Sequence, residues 1–272
     1  MVSTRRDYTQ EAIDAARSVL LELTRLLRAY RDDIVLVGGW VPELLLNQAG
    51  DPHIGSTDVD LALNHQNLQE AGYRTLLQLL EQRGYVRDER QPFIFHRDVN
   101  GMDVEVDLLA GEYEGTGKGH RTQRVQDIRP RKARGCDLAF NEPADVQVEG
   151  SLPDGARDSA IVRVASIVPF LVMKGMALAD RLKEKDSYDI YYCVRHYPGG
   201  VEALEAKFKP HLSHGLVQEG MRKIAEKFAS PEHAGPRHVA AFLEVEDVEE
   251  REILIRDAYE RVNALLVRLG IQ

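Results

Sequence analysis

Two short stretches place acidic residues at strand spacing: Asp58 and Asp60 in Ser56-Thr57-Asp58-Val59-Asp60, and Asp103, Glu105 and Asp107 alternating with Val104, Val106 and Leu108. On a strand, carboxylates two positions apart point the same way with Cα atoms about 7 Å apart. Hard divalent cations such as Mg²⁺ take oxygen ligands and can bridge such a pair to phosphate oxygens. A third acid from a neighbouring strand would complete a site for two ions roughly 3.5 to 4 Å apart, able to stabilise the attacking and leaving oxygens of an in-line displacement. Asp107 is the choice for that third acid, with Glu105 on the same strand face as its alternative. Upstream, Gly38-Gly39 stands between the apolar run Ile34 to Val37 and a helical stretch from Trp40. Paired glycines at a helix start let backbone N–H groups approach phosphate with no Cβ in the way. Each feature alone is ordinary, as a turn or a solvated strand face. Their order along one chain is what points to phosphate chemistry.

Further along, Lys174 interrupts the apolar and small residues Phe170 to Leu178 on an expected helix. An ammonium is costly to bury unpaired, so it either snorkels to water or meets an anion. Lys185, Asp186, Tyr188 and Asp189 cluster where the next helix begins. Acids in a first turn suit the helix dipole, and Asp186 also has the placement to anchor Lys185 or orient a nucleotide. His53, in the loop before Ser56, reads as a solvated histidine.

The elements that must position these residues follow from periodicity. Apolar groups at Ile13, Ala16, Leu20, Leu23 and Leu27 define one face of a helix within 8–30. Strand, glycine turn and helix succeed one another over 34–47, a loop holds Gly50, Asp51, Pro52 and Gly55, and Asp58 to Leu63 reads as a strand. A helix is expected over Asn67 to Arg83, stopped by Gly84, and Asn100-Gly101 marks a hairpin. Gly111 to Gly135 reads as a mobile loop, with short strands at 136–140, 145–148 and 161–165. From Val168 onward the pattern is helical: 169–183, 186–196, 201–208, 216–228 and 248–269, with Pro-Gly and Gly-Pro breaks. The expected fold class is α+β, a small mixed β-sheet core with helices (1–166) followed by an α-helical C-terminal part (167–272).

The chain has 272 residues, 43% of them hydrophobic, and a net charge of -9. That balance excludes coating nucleic acid by charge alone. Locally the sign reverses. Lys118, Arg121, Arg124, Arg129, Arg131, Lys132 and Arg134 face one acid, Asp127, giving +6 over that stretch. Cys136 and Cys193 lie too far apart for a C-x-x-C pair, and no run approaches the roughly 18 apolar residues of a membrane span. These features read as a cytoplasmic, soluble protein with free thiols and no membrane partner.

Val37-Gly38-Gly39 with Ser56-x-Asp58-x-Asp60 resembles the first motif of the DNA polymerase β-like nucleotidyltransferases, and within them the AbiEii type found as toxins of bacterial toxin-antitoxin and phage-abortive systems. Lys174 in its apolar helix, then Arg181 and Lys185-Asp186-Ser187-Tyr188-Asp189-Ile190, is similar to the lysine and K-D motifs of that type. The match covers residues 35–192 in pieces. It departs where several members carry an arginine before the serine or threonine of the D-x-D block, and this chain has His53, Ile54 and Gly55.

The resemblance implies two Mg²⁺ ions on Asp58, Asp60 and Asp107, and a nucleoside triphosphate as donor. Lys174 would contact that triphosphate, with Gly38, Gly39, Ser56, Lys185 and Asp186 at the nucleotide and the helical part closing the cleft. It further implies an RNA acceptor, the 3' end of transfer RNA in some members. Arg121, Arg124, Arg129 and Arg131 would then grip backbone phosphates, and an antitoxin protein would be a partner. Two other readings stand beside it: an antibiotic-type enzyme with a small-molecule acceptor, and an inert module that docks an antitoxin through the acidic stretch Glu244 to Glu252.

Overall fold

The computed structural model describes residues 4–47, 50–69, 74–112 and 122–271. The chain is a mixed α+β protein with a mixed sheet and C-terminal helices. It divides into two compact units, one of Thr9–Leu45 and Gly55–Ser166, the other of Met1–Tyr8, Leu46–Ile54 and Ile167–Gln272.

The first unit opens with α1 (Gln10–Leu26), capped by the Thr9 hydroxyl, which accepts from the Ala12 N–H at 3.3 Å. Ala16, Val19, Leu20 and Leu23 form its buried stripe, the three-and-four spacing read from sequence. Glu22 lies inside that stripe. Its carboxylate accepts from Arg83 Nε (2.8 Å), Arg97 Nε (3.0 Å) and the Tyr85 hydroxyl (2.9 Å), so the buried charge is fully partnered.

The sheet is built from β1 (Ile34–Val37), β2 (Val59–Leu63), β3 (Val86–Arg87), β4 (Ile94–Val99), β5 (Met102–Ala110), β6 (Arg131–Lys132), β7 (Ala144–Ser151) and β8 (Arg157–Val164). Its order is β3-β4-β5-β2-β1-β8-β7, with β6 added to β5. β2 runs antiparallel to β1 and parallel to β5, while β8 is parallel to β1 and antiparallel to β7. The β4–β5 hairpin turns at Asn100 and Gly101, both with positive φ (55° and 84°), the geometry that Asn-Gly favours. α2 (Trp40–Leu45) follows β1, and α3 (Leu76–Gln82) starts at a Thr75 cap.

Three expectations for this unit need correction. The helix expected over Asn67–Arg83 is only the seven residues of α3; Asn67 to Gln69 form turns, and 70–73 lie outside the described residues. Residues Cys136–Phe140 form a 3₁₀ turn, not a strand: Gly135 enters it with φ 83°, and alternating burial is missing. The segment expected as a bare loop up to Gly135 contains β6 and bridges Thr122↔Arg131 and Val125↔Ile128, with Val125 and Ile128 buried.

The second unit holds α4 (Ile167–Arg181), α5 (Glu184–His196), α6 (Gly200–Phe208), α7 (Gly215–Lys227), α8 (Ala234–Phe242) and α9 (Val248–Arg268). α8 escaped the sequence reading because Gly235 and Pro236 stand in its first turn, where a proline costs little. Gly175 of α4 and Gly220 of α7 have no space for a Cβ against the partner backbone, which lets these two helices pack closely. Cys136 and Cys193 are buried free thiols. Among the described residues no helix is long and apolar enough to cross a membrane.

Candidate active site

The acidic face of the sheet is set by strand register. Asp60 of β2 is the register partner of Asp107 of β5. Neighbouring strands lie about 4.8 Å apart, and partners leave the sheet on the same side. Val59, Leu61 and Leu63 are buried on the opposite side, where Leu61 and Leu36 line a cavity together with Leu20 and Leu23 of α1. Glu105, the alternative third acid, is the register partner of His96 and is exposed. Register therefore pairs Asp107, not Glu105, with Asp60.

Gly38 turns out to serve Asp60. It has φ +74°, and a Cβ built on it would overlap the Asp60 carboxylate. Two constraints thus require glycine there, a left-handed backbone and a cradle for a carboxylate. The helix that follows has only six residues, so its dipole offers little to an anion.

Asp58 sits just before β2. Its carboxylate accepts from the Ser56 hydroxyl at 2.5 Å and its backbone carbonyl from Trp40 Nε1 at 2.7 Å. Trp40 is fully buried, and Arg17 of α1 stacks over it at 5.2 Å while pairing with Glu43. The strand entrance is therefore fixed from α1 through α2 to Asp58. Ser56, expected at a triphosphate, is buried and turned to Asp58.

Asp107 is ion-paired: Arg131 Nη2 donates to its Oδ2 at 2.5 Å. Arg131 was expected among the RNA-gripping arginines; it instead stands on β6 and reaches into the acidic face. Arg124 and Arg129 are exposed, and Arg121 with Lys118 lies outside the described residues. Asp137, which the sequence reading passed over, belongs here too. A Cβ on Gly111, directly after β5, would overlap its carboxylate. Burial, then the field of Asp137, pushes the Cys136 thiol up, with Asp107 and Asp60 adding to it. No alternation marks Asp137, since it sits in a 3₁₀ turn.

In donor type Asp58, Asp60 and Asp107 suit a divalent cation, Asp60 and Asp107 share one face, and the Gly38 cradle leaves the Asp60 carboxylate its place. No group of three or more His, Cys, Asp or Glu among the described residues is arranged as a ready metal cluster. One oxygen of each of two carboxylates is already engaged, Asp107 Oδ2 by Arg131 and Asp58 Oδ1 by Ser56. The donor set fits a metal on condition that Arg131 yields.

The other expected residues gather in the helical unit. Lys174 of α4 is buried, with its ammonium 2.8 Å from Asp186 Oδ1 and 2.6 Å from Asp189 Oδ2. Arg181 reaches Asp186 through Nε (2.8 Å) and Nη2 (3.0 Å), and Lys185 donates to Asp189 at 3.0 Å. His53, read as solvated, is buried and bonds Asp189 through Nε2 at 3.0 Å, stacked on Tyr188 with centroids 5.3 Å apart. Burial pushes the His53 pKa down to about 4, against the pull of Asp189, so the ring is neutral and Nε2 carries the donated proton. Burial acts to lower the Lys174 pKa, but Asp186 and Asp189 outweigh it and hold the lysine charged. Burial acts to raise both aspartates, and the lysines with Arg181 and His53 bring them below the usual carboxylate range. Contact of Lys174 with a triphosphate oxygen would require it to leave two carboxylates. Lys185 and Asp186, expected at the nucleotide, are closed on each other's neighbours.

No protein-family model matches the chain, and neither the curated proteins nor the solved structures contain a match to it.

Proposed function

We propose that this chain is a Mg²⁺-dependent nucleotidyltransferase that moves a nucleoside monophosphate from a nucleoside triphosphate to an acceptor. The observation that carries the reading is the Asp60–Asp107 register pair on adjacent parallel strands, with the Asp60 carboxylate cradled against Gly38. Asp58, Asp60 and Asp107 would hold the cations, whose charge, when they are bound, offsets that of the phosphates. The chain's own contribution is positioning. Trp40 and Ser56 fix Asp58, Gly38 admits Asp60, and the β2–β5 register sets Asp107 beside Asp60.

The acceptor we propose is RNA, the 3' end of transfer RNA, and the setting a cytoplasmic toxin restrained by an antitoxin protein. Support for RNA comes from the exposed Arg124 and Arg129 in the segment that leads into β6. The test is incubation with each labelled nucleoside triphosphate, Mg²⁺ and total RNA, followed by sizing of the labelled product, for the wild type, Asp60→Asn and Asp107→Asn. Label in RNA of transfer-RNA size, lost by at least about 100-fold in both variants while their circular dichroism is unchanged, is the expected result, the scale seen when an electrostatic group of a transition state is removed. Label on small molecules alone would move the acceptor class, and near-normal turnover by either variant would end the proposal.

A further inference from the structure

Arg131 is in register with Leu109 of β5. Leu109 is two positions from Asp107, so Arg131, Asp107 and Asp60 project from the same face of the sheet. One arm of the guanidinium is used on Asp107, and its carbon lies 5.8 Å from the Phe93 ring centroid. Its Nε is buried and has no hydrogen-bond acceptor among the described residues. A buried N–H left without an acceptor is destabilising, and a ligand oxygen would satisfy it. The guanidinium fork matches phosphate oxygens bidentately. The side chain is 38% exposed, so a phosphate can reach it from solvent. The arm already in use sits on Asp107 Oδ2, so its positive charge stands beside the carboxylate that a divalent cation would take.

We infer that Arg131 is an exchangeable counter-ion of the acidic face: it neutralises Asp107 in the metal-free protein and passes to a phosphate oxygen of the donor when a divalent cation takes Asp107. No covalent bond changes in this exchange; one ion pair is replaced by two. The inference rests on the nucleotidyltransferase reading, and the measurements separate the two. It also moves Arg131 from the RNA-binding set to the donor site.

The experiment uses the full chain, Mn²⁺ as the probe cation and calorimetric titration in the absence of nucleotide, for the wild type, Arg131→Gln and Arg131→Lys. Binding of each nucleoside triphosphate at saturating Mg²⁺ is then measured by equilibrium dialysis. With the competing cation gone, Arg131→Gln should bind Mn²⁺ about five-fold tighter, the size of one partly exposed ion pair. It should bind its nucleotide about ten-fold more weakly, having lost a charge-assisted fork. Arg131→Lys keeps the charge and loses the fork, so its Mn²⁺ affinity should stay near wild type while nucleotide affinity falls; this variant decides the matter if Arg131→Gln does not fold. Mn²⁺ binding by the wild type that is unchanged or weaker in Arg131→Gln, or full nucleotide affinity in Arg131→Lys, would make Arg131 a brace and overturn the inference while the metal site stands. Absence of Mn²⁺ binding in all three proteins would remove both the inference and the reading beneath it.

Discussion

Asp189 holds three partners in a dry environment: Lys174, Lys185 and His53. Among them, His53 makes the network sensitive to mild acid. Its ordinary pKa of 6.5 falls to about 4 in the fold, so between these values the unfolded chain binds a proton that the folded one does not. Its contribution is complete above about pH 6.5 and is lost as pH falls toward 4, on the order of 3 kcal/mol in all. Asp186 and Asp189, whose pKa values are lowered, lose theirs only at still lower pH. Denaturant titrations between pH 7 and 4.5 should show a steep fall in wild-type stability and a shallower one in His53→Gln, which keeps an N–H for Asp189. His96 and His196, whose pKa values are shifted up and down respectively, are present in both proteins and cancel in the difference. Equal slopes would mean that His53 is not buried neutral. Sequence alone exposed Lys174 as an anomaly in an apolar helix, but not its pairing with Asp186 and Asp189. A lysine that meets a ligand and one that meets two buried aspartates interrupt an apolar run in the same way. His53 left no trace at all, since a single loop histidine has no periodicity to betray burial.

At the scale of elements, the strand–glycine–helix unit, the hairpin at Asn100-Gly101 and the strand-borne acids were legible because alternation and turn chemistry are local. Register was not legible. That Asp60 meets Asp107 depends on how β2 docks on β5, across the intervening α3, β3 and β4. β6 was equally hidden, since two residues are too few to show a period. Gly38 offers a direct test of how the turn and β2 depend on each other. Gly38→Ala forces a Cβ into a left-handed backbone and into the Asp60 carboxylate, and should cost about 3 kcal/mol or more as strain and overlap add. In an Asp60→Ala background the carboxylate overlap is gone, leaving the backbone term of about 1–2 kcal/mol and a close Cβ at position 60, 2.9 Å away. A double-mutant cycle of unfolding free energies should therefore show coupling of at least about 1 kcal/mol. Strict additivity would mean that carboxylate and glycine do not share the space.

For the whole molecule, the net charge of -9 and the basic stretch before β6 have a measurable consequence. If Arg124 and Arg129 contact RNA phosphates, replacing both with glutamine should flatten the log–log salt dependence of RNA binding by about 1.4 to 1.8. Nucleotide binding without RNA should be unchanged, and an unaltered slope would take these side chains out of the acceptor site. The α+β class and the change to helices after β8 were readable from periodicity. The make-up of the helical unit was not, because it recruits Met1–Tyr8 and Leu46–Ile54 from the other end of the sequence. His53 is one of the recruits, so Asp189 gains a partner from 136 positions away.

The pairing of Leu36 with Val164 joins β1 to β8 across 128 positions. During synthesis the hairpin of β4 and β5 can close as soon as it leaves the ribosome, but β1 waits with one edge bare until β8 exists. At roughly 5–20 residues per second that wait lasts about 6 to 25 seconds, long compared with hairpin formation in microseconds. Ile34 to Val37, four apolar residues with no charge among them, is the segment that a nascent-chain chaperone would be most needed to cover.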